Sequence, residues 1–356
     1  MTKYNIVVGL EGKELAEFEK ELLTSKPPFG VILFARNLSD KEQVKALISS
    51  IKDYAGEDTK IFIDQEGGRV TRLKPPVFSR ELKSMEYYSN LYNKNKELGA
   101  KLIYLNSYLL GKELLDEFDI DGNFAPVCDL RFEKAHKIIG DRSFGSTPEE
   151  VALMSYEMYK GLLQSGVIPC IKHIPGHGRA MEDSHLELPT VETSLIELEQ
   201  TDFKVFKLLS SKTNFAMTAH VKYTALDEEK PATISKSTID YIRNNIGFKD
   251  IIITDDLAMK ALGGSIKEKA EESLNAGCDI IMLCRGTEDD YREFYDVATP
   301  ISSDLETKIN KLEKSISNNT STISFEDALN EFNQTLLALN DGNTKLASEG
   351  WMHEIG

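Results

Sequence analysis

Titratable side chains are concentrated in one short stretch of this sequence, residues 171–185. The stretch holds three of the six histidines, His173, His177 and His185, together with Lys172 and Asp183. It is also rich in glycine and proline, which favours a loop. Because an unpaired charge is costly to bury, we predict that this loop faces a cleft, where a substrate supplies polar partners.

Two features of the sequence suit acid–base and nucleophilic chemistry. Asp183 and His185 lie two residues apart, so the carboxylate could orient the imidazole and stabilise its charged form, which makes a proton shuttle. Asp255 follows the apolar run 251–253, and a carboxylate held rigidly at a strand end suits a nucleophile. An equally weighted alternative is that Asp255 or Asp256 only caps the following helix.

Asp64 and Arg72 lie on either side of a glycine turn. Asp64 could accept hydrogen bonds from ligand hydroxyl groups, and Arg72 could donate them. Together with the groups above, they describe a pocket that suits a sugar. An oxocarbenium-like transition state requires an anion on one face of the ring and a proton donor at the leaving oxygen; here a histidine would replace the usual second carboxylate.

The elements that must position these residues follow a regular alternation of short β-branched runs and longer segments of helical period. Eight runs are predicted strands: 5–10, 30–35, 60–65, 122–127, 167–172, 215–220, 250–255 and 279–284. Predicted helices between them include 41–54, 97–118, 148–165, 195–209, 235–245 and 266–276, and a last helical stretch is predicted near 325–339. This alternation predicts an α/β protein built as a single (β/α)8 TIM-type barrel, whose parallel strands are buried on both faces.

The candidate polar residues fall into register with the predicted strands. At or just after a strand's carboxyl end lie Asp64, Asp129, Lys172, His173, His220, Asp255 and Arg285. Barrel enzymes build their active sites at this edge. The connections 72–96 and 131–147 are long, and loops of that length are usually either functional or disordered.

The domain organisation follows from where this alternation stops. We predict a catalytic barrel over residues 1–300, a C-terminal helical extension packed on the barrel over 301–340, and a tail over 341–356. The region 315–324 is rich in Ser, Asn and Thr, and we see no second catalytic domain there.

Composition limits the classes of function. A hydrophobic content of 41% with 28% charged residues is typical of a soluble globular protein, and no apolar run reaches the length of a membrane helix. The N-terminus lacks a secretory apolar segment, so a cytoplasmic location is expected. The net charge of −16 argues against nucleic acid and anionic membranes as partners. The four cysteines form no CxxC pair and are predicted to be reduced core thiols.

Several separate motifs, in order along the chain, carry a family resemblance. They are IDQEGGRV at 63–70, NFAPV at 123–127, IGDRSFG at 139–145, KHIPGHG at 172–178, DSH at 183–185 and TDDLAM at 254–259. The chain resembles glycoside hydrolase family 3, specifically its bacterial single-domain β-N-acetylglucosaminidases, over roughly residues 5 to 290. The resemblance implies a nucleophile at Asp255, a general acid/base at His185 and its partner at Asp183.

The resemblance also implies which residues hold the sugar: Asp64, Arg72, Arg142, Lys172 and His173. Neither His177 nor Asp256 receives a catalytic role, and we interpret both as structural. The implied substrate is a terminal β-linked N-acetylglucosamine on a 1,6-anhydro-N-acetylmuramic acid peptide, released by cell-wall turnover and handled during peptidoglycan recycling. We expect no cofactor, no metal and a monomer. The stretch 179–182 departs from the subgroup's usual acidic or small residues, which puts the geometry of that loop in doubt.

Three alternatives stay open from the sequence. A metal-dependent barrel hydrolase would use His173, His177 and His185 as ligands, although two of these lie on a Pro-Gly loop rather than on several strands. A phosphorylase of the same fold is the second alternative, since a histidine acid/base leaves less negative charge near an incoming phosphate than a carboxylate does. The third is a sugar-binding protein without turnover.

Overall fold

Eleven strands lie within residues 1–181 and 187–340, which are the residues that the computed structural model describes. They are β1 Tyr4–Gly9, β2 Pro28–Leu33, β3 Lys60–Ile63, β4 Gly122–Asn123, β5 Ile168–Pro169, β6 Ile171–Ile174, β7 Thr190–Val191, β8 Phe215–Thr218, β9 Lys222–Tyr223, β10 Ile251–Asp256 and β11 Ile280–Leu283. Two of them, β7 and β9, form a small separate sheet. The other nine form one parallel sheet in the order β5-β4-β3-β2-β1-β11-β10-β8-β6.

The two ends of this sheet are the same stretch of chain. β5 pairs with β4 and β6 pairs with β8, and only Cys170 separates β5 from β6. A further bridge joins Val127 to Lys172. The sheet therefore closes on itself, and β5 with β6 counts as one of eight barrel strands. The predicted (β/α)8 barrel is confirmed.

All eight predicted strands overlap an observed strand, but the fourth is shorter than predicted. The predicted strand 122–127 is reduced to β4, because the chain turns after Asn123, whose carbonyl accepts from the N–H of Ala125 at 2.8 Å. Pro126, in addition, has no N–H to donate to a neighbouring strand.

Twelve α-helices lie in the described part of the chain. They are α1 Glu17–Ser25, α2 Lys41–Ala55, α3 Met85–Lys94, α4 Lys96–Lys112, α5 Pro148–Ser165, α6 Leu195–Gln200, α7 Asp202–Leu209, α8 Lys236–Tyr241, α9 Ile266–Ala276, α10 Glu288–Val297, α11 Ser303–Asn319 and α12 Phe325–Asn340. Single wider turns of π type, Glu113–Glu117 and Ile242–Ile246, extend α4 and α8. Short 3-10 turns span Ala35–Asn37, Gly140–Arg142 and Ala232–Ile234.

Helix boundaries follow their capping residues. α5 begins at Pro148, whose fixed φ suits the first helical position. α9 begins after a capping box of Ser265 and Glu268 and ends before Gly277, whose φ of 113° few other residues adopt. Both helices match the predicted bounds. The predicted helix 195–209 is wrong in one respect, because Thr201 leaves helical geometry with φ −123° and ψ −97° and divides it into α6 and α7.

The barrel interior is filled by a separate apolar cluster. At its centre the rings of Phe62 and Phe124 stack with centroids 4.8 Å apart. A side chain at Gly30 or Gly122 would meet the Phe62 ring at about 2.5 Å, so these two strands accept only glycine beside it. Leu305 and Leu312 belong to the same cluster, so α11 covers the amino-terminal opening of the barrel.

Outside the barrel, a second and larger cluster packs the strands against the surrounding helices. α12 packs on α4 around Tyr104, Tyr108 and Ala328. The cysteines are free and buried, as predicted. Among the described helices, none combines the length and apolar character needed to cross a lipid bilayer. The domain limits at 300 and 340 stay a prediction, and the tail 341–356 lies outside the described residues.

Candidate active site

A cavity of about 300 Å³ opens at the carboxyl ends of the barrel strands. Its wall comes from seven of the eight barrel strands or the segments that follow them. The ionisable lining residues are Arg36, Asp64, Glu66, Arg69, Arg72, Arg142, Lys172, His173, His177, Asp255, Asp256 and Arg285. The structure therefore brings together all the predicted site residues that it describes.

Alternating charges form one side of the cavity. The Lys172 ammonium lies 2.9 Å from Asp64 Oδ1 and 2.6 Å from Glu66 Oε1. Arg142 donates two parallel hydrogen bonds of 2.8 Å to Glu66, and Arg72 donates to Asp64 Oδ2 at 3.1 Å. The side chains of Lys172 and Glu66 are only 3% and 1% exposed. These bonds fix the charged groups before any ligand arrives.

The charges in this cluster stabilise one another. Burial raises the pKa of the Asp64 carboxyl, but Lys172 and Arg72 more than offset it, so the net pKa lies below the usual range. The pKa of Glu66 is lowered in the same way by Arg142 and Lys172. Burial lowers the pKa of Lys172, and the two carboxylates raise it above the ordinary value. All three groups are therefore charged at neutral pH.

Asp129 organises the histidine side of the cavity. Its Oδ2 lies 2.6 Å from His173 Nδ1, and its Oδ1 accepts from the backbone N–H of His173 at 3.2 Å and of His177 at 2.6 Å. Burial raises the pKa of Asp129, but the two histidines lower it overall. Because an ionised carboxylate can only accept a hydrogen bond, Nδ1 of His173 carries a hydrogen and donates it to Asp129. The other ring nitrogen, Nε2, is not used in this bond.

His177 is buried next to His173, with ring centroids 5.5 Å apart. Burial lowers its pKa to about 4, and the neighbouring His173 adds to the shift. The imidazole is therefore neutral at pH 7.

Asp255 lies near the end of β10, and its backbone is part of the barrel. Its Oδ1 accepts from the N–H of Asp256 at 2.8 Å, and its own N–H donates to Thr218 Oγ1 at 3.4 Å. Burial raises the pKa of the Asp255 carboxyl, but the imidazoles of His220 and His173 and the Asp256 N–H lower it below the ordinary value. The result is an ionised carboxylate of fixed orientation that lines the cavity.

Asp256 has a different set of partners from Asp255. Its Oδ1 accepts from the backbone N–H of Ala258 at 3.0 Å and of Cys284 at 2.9 Å, and its carbonyl lies 3.0 Å from His220 Nε2. The Arg285 side chain is 59% exposed, and its Nε lies 3.9 Å from Asp256 Oδ2, too far for a hydrogen bond. Asp256 thus fastens the end of β10 to the segment after β11.

Two predicted catalytic residues, Asp183 and His185, lie outside the described residues. The structure describes the chain up to Met181 and again from Glu187. The predicted Asp183–His185 pair stays a prediction. In residues 1–181 and 187–340, no group of three His, Cys, Asp or Glu side chains could hold a metal ion.

Sequence reasoning gave no role to Glu66 and identified Asp129 only by its position after a strand. Glu66 lies two residues beyond Asp64, and residues spaced by two point to the same side of an extended chain. That spacing could have indicated that both carboxylates reach Lys172. The joint role of Asp129 could not be read from the sequence, because it depends on how the β4 and β6 ends approach each other.

The profile of the glycosyl hydrolase family 3 N terminal domain matches residues 6–317. A β-hexosaminidase from Tolumonas auensis is 39% identical over 284 residues, covering 78% of this chain and 82% of that protein. A β-hexosaminidase from Neisseria gonorrhoeae is 37% identical over 320 residues, covering 87% of this chain and 86% of the relative.

A solved structure agrees with these sequence matches. The structure of NagZ from Neisseria gonorrhoeae in complex with N-trifluoroacetyl-D-glucosamine superimposes with a TM-score of 0.81 at 33% sequence identity. The match covers 94% of this chain and 98% of that protein. Fold and sequence therefore agree with the same group of relatives.

Proposed function

The chain belongs to glycosyl hydrolase family 3 and is a glycoside hydrolase, and from that premise we propose a retaining exo-β-N-acetylglucosaminidase that works through a covalent glycosyl-aspartate intermediate. One observation carries the proposal: an ionised, rigidly held Asp255 shares a cavity with a fixed set of charged and hydrogen-bonding side chains. The names of the relatives, β-hexosaminidases, support the reaction class.

In the first step, Asp255 attacks the anomeric carbon as the bond to the leaving oxygen breaks. Its lowered pKa keeps it anionic, which stabilises the oxocarbenium-like transition state before the covalent bond forms. His185, oriented by Asp183, donates a proton to the leaving oxygen. In the second step His185 takes a proton from water, which attacks the anomeric carbon and releases Asp255.

The sugar is held by groups that are already paired. Asp64 and Lys172 each retain hydrogen-bonding capacity beyond their mutual bond, so Asp64 accepts from a sugar hydroxyl and Lys172 donates to one. Nε2 of His173, aligned by Asp129, is the third contact. Arg72 and Arg142 hold Asp64 and Glu66 in place. In this proposal the two arginines also donate hydrogen bonds to the sugar.

The proposed natural substrate is an N-acetylglucosaminyl-1,6-anhydro-N-acetylmuramic acid peptide. Its support is the resemblance of the motifs to the single-domain subgroup and the likeness to NagZ, which binds an N-acylglucosamine in the solved complex. A cavity of about 300 Å³ suits one terminal sugar, with the remainder of the substrate outside it. The cytoplasmic location stays a prediction.

Hydrolysis of an aryl β-N-acetylglucosaminide beside the matching β-glucoside, with and without EDTA, tests the proposal. We expect a rate confined to the acetamido sugar and indifferent to chelator. A preference for the glucoside would reassign the substrate, and chelator inhibition would restore the metal-dependent alternative. A rate that requires phosphate, with a sugar phosphate as product, would identify a phosphorylase instead.

A further inference from the structure

Residues 175–181, which follow β6 and precede the segment with Asp183 and His185, are called the stem, and they are held tightly by the surrounding chain. The N–H of His177 donates to Asp129 at 2.6 Å, and the carbonyl of Ala180 accepts from the N–H of His136 at 2.9 Å. A side chain at Gly178 would lie 2.0 Å from the Leu130 carbonyl oxygen, so the two backbones touch there. The stem therefore has a defined path up to Met181.

The Arg179 side chain contacts three segments outside the stem. Its Nε donates to Asp202 Oδ2 at 2.7 Å. Its Nη2 lies 2.9 Å from Glu197 Oε1 and donates to Thr201 Oγ1 at 3.1 Å. Its guanidinium also lies 4.3 Å from the centre of the Phe132 ring. One side chain thus ties the stem to α6, to α7 and to the connection after β4.

Asp202, the main partner of Arg179, is nearly inaccessible to solvent. It is 2% exposed and is the first residue of α7. Within the described part of the chain its Oδ1 has no hydrogen-bond donor. Burial raises its pKa, and Arg179 opposes that shift. Besides Arg179, the Thr201 hydroxyl donates to its Oδ2 at 3.0 Å. A buried carboxylate whose charged partner is Arg179 depends on that ion pair, so the Arg179–Asp202 contact resists displacement.

The stem also packs directly against Asp202. A Cβ at Gly176 would lie 2.9 Å from the Asp202 Cβ, and the carbonyl of Gly176 accepts from the Tyr223 hydroxyl. Asp202 therefore contacts the stem at Gly176 as well as at Arg179. A displacement of α7 would therefore shift the stem at both Gly176 and Arg179.

We propose that Arg179 and Asp202 form a latch that positions the acid/base loop for proton transfer to the leaving group. The inference rests on the proposed function, in which His185, six residues beyond Arg179, is the proton donor. A general acid must lie within hydrogen-bond distance of the leaving oxygen, and a misplacement of about 1 Å costs on the order of 10²-fold in rate. Arg179 and Asp202 are positioning residues and touch no substrate.

The test compares two substrates that differ in their need for a proton. A 2,4-dinitrophenyl β-N-acetylglucosaminide departs without protonation, whereas an alkyl β-N-acetylglucosaminide requires it. We expect Arg179→Gln and Asp202→Asn to lower the ratio of kcat/KM for the alkyl over the dinitrophenyl substrate by about tenfold. Arg179→Lys keeps the charge but loses the planar guanidinium, so its substrate ratio should lie between that of these two variants and that of the unchanged protein.

A matched control is available at the other end of the barrel. Arg243 has the same side-chain exposure as Arg179, 17%, and pairs with Asp279 at the same distance, 2.7 Å. Arg243→Gln should reduce stability without changing the substrate ratio. Because both substrates are measured on the same preparation, a change in the folded fraction alters both rates equally and leaves the ratio intact.

His185→Ala supplies the reference. It should lower the ratio more than any latch variant. If His185→Ala lowers the ratio and neither Arg179→Gln nor Asp202→Asn does, the latch is wrong and the proposed function stands. If His185→Ala leaves the ratio unchanged, the acid role of His185 is wrong and the latch falls with it.

Discussion

Ion pairs lie at both ends of the barrel, but their roles differ. At the amino end, Asp279 pairs with Arg243 and with Lys308, each at 2.7 Å, and Asp250 pairs with Lys311 at 2.7 Å. Both lysines belong to α11, whose apolar face covers that end of the barrel interior. These charges fasten a helix to the barrel.

At the carboxyl end, the paired charges surround a cavity instead. Lys172 lies between Asp64 and Glu66, and each of these groups lines open space. The ion pairs there hold ligand-binding atoms at fixed positions. Similar pairs thus contribute to stability at one end and to preorganisation at the other, as expected for a barrel whose reactions take place at the carboxyl face.

The largest expected effect comes from a substitution at the carboxyl end. Asp255→Ala should lower kcat/KM by at least about 10⁴-fold, because it removes the proposed nucleophile. The free energy of unfolding should change little, since the Asp255 side chain accepts only one hydrogen bond in the described part of the chain. Steady-state kinetics and urea denaturation on the same preparation measure both quantities.

An active Asp255→Ala protein would contradict the nucleophile assignment. A protein that had lost both activity and stability would weaken the comparison, because the carboxyl end would then be structural as well.

The converse substitution at the amino end should affect stability alone. Asp279→Asn removes the carboxylate that Arg243 and Lys308 share, and loss of one partner of these partly buried pairs costs roughly 1 to 3 kcal/mol. We expect the urea midpoint to fall and kcat/KM to stay within about twofold. A large loss of kcat/KM would show that the two ends are coupled.

The last expected effect concerns the pH dependence of stability, and it should arise at the carboxyl end. The folded-state pKa of His177, about 4, lies below its ordinary value of 6.5. As pH falls from 6.5 towards 4 the unfolded chain binds a proton that the folded chain does not, so the free energy of unfolding decreases. The contribution is on the order of 3 kcal/mol at most.

Urea denaturation at pH 7 and pH 4.5, with His177→Gln as comparison, checks this. The variant should lose less stability over that interval than the unchanged protein, since carboxylates that titrate in both proteins cancel. Equal losses would mean that His177 does not remain neutral when buried.

The barrel could be predicted from the sequence because its physical signals are local. Strands buried on both faces give continuous apolar runs, and the bounds of α5 and α9 are set by Pro148 and by the Ser265 and Gly277 caps. The break at Thr201 had no such signal. α1, α3 and α10 were also not predicted. α11 lies in the predicted C-terminal helical extension, but its bounds were not predicted, because its surface is mostly exposed and polar and it buries only Leu305 and Leu312.

The site was predictable in its positions and less so in its contacts. The strand-end rule and the family motifs identified Asp64, Lys172, His173 and Asp255. The bonds of Asp129 to two histidine backbones and of Arg142 to Glu66 join distant parts of the chain. They depend on how loops from different strands meet, which no local pattern encodes.

Trapping the covalent intermediate tests the central claim most directly. A 5-fluoro analogue of N-acetylglucosaminyl fluoride should form the glycosyl-enzyme quickly and release it slowly, because the ring fluorine destabilises the oxocarbenium-like transition state while fluoride departs readily. Mass spectrometry should show one added sugar, and peptide mapping should locate it on Asp255. Fluoride release without an adduct, or an adduct on another carboxylate, would contradict the account.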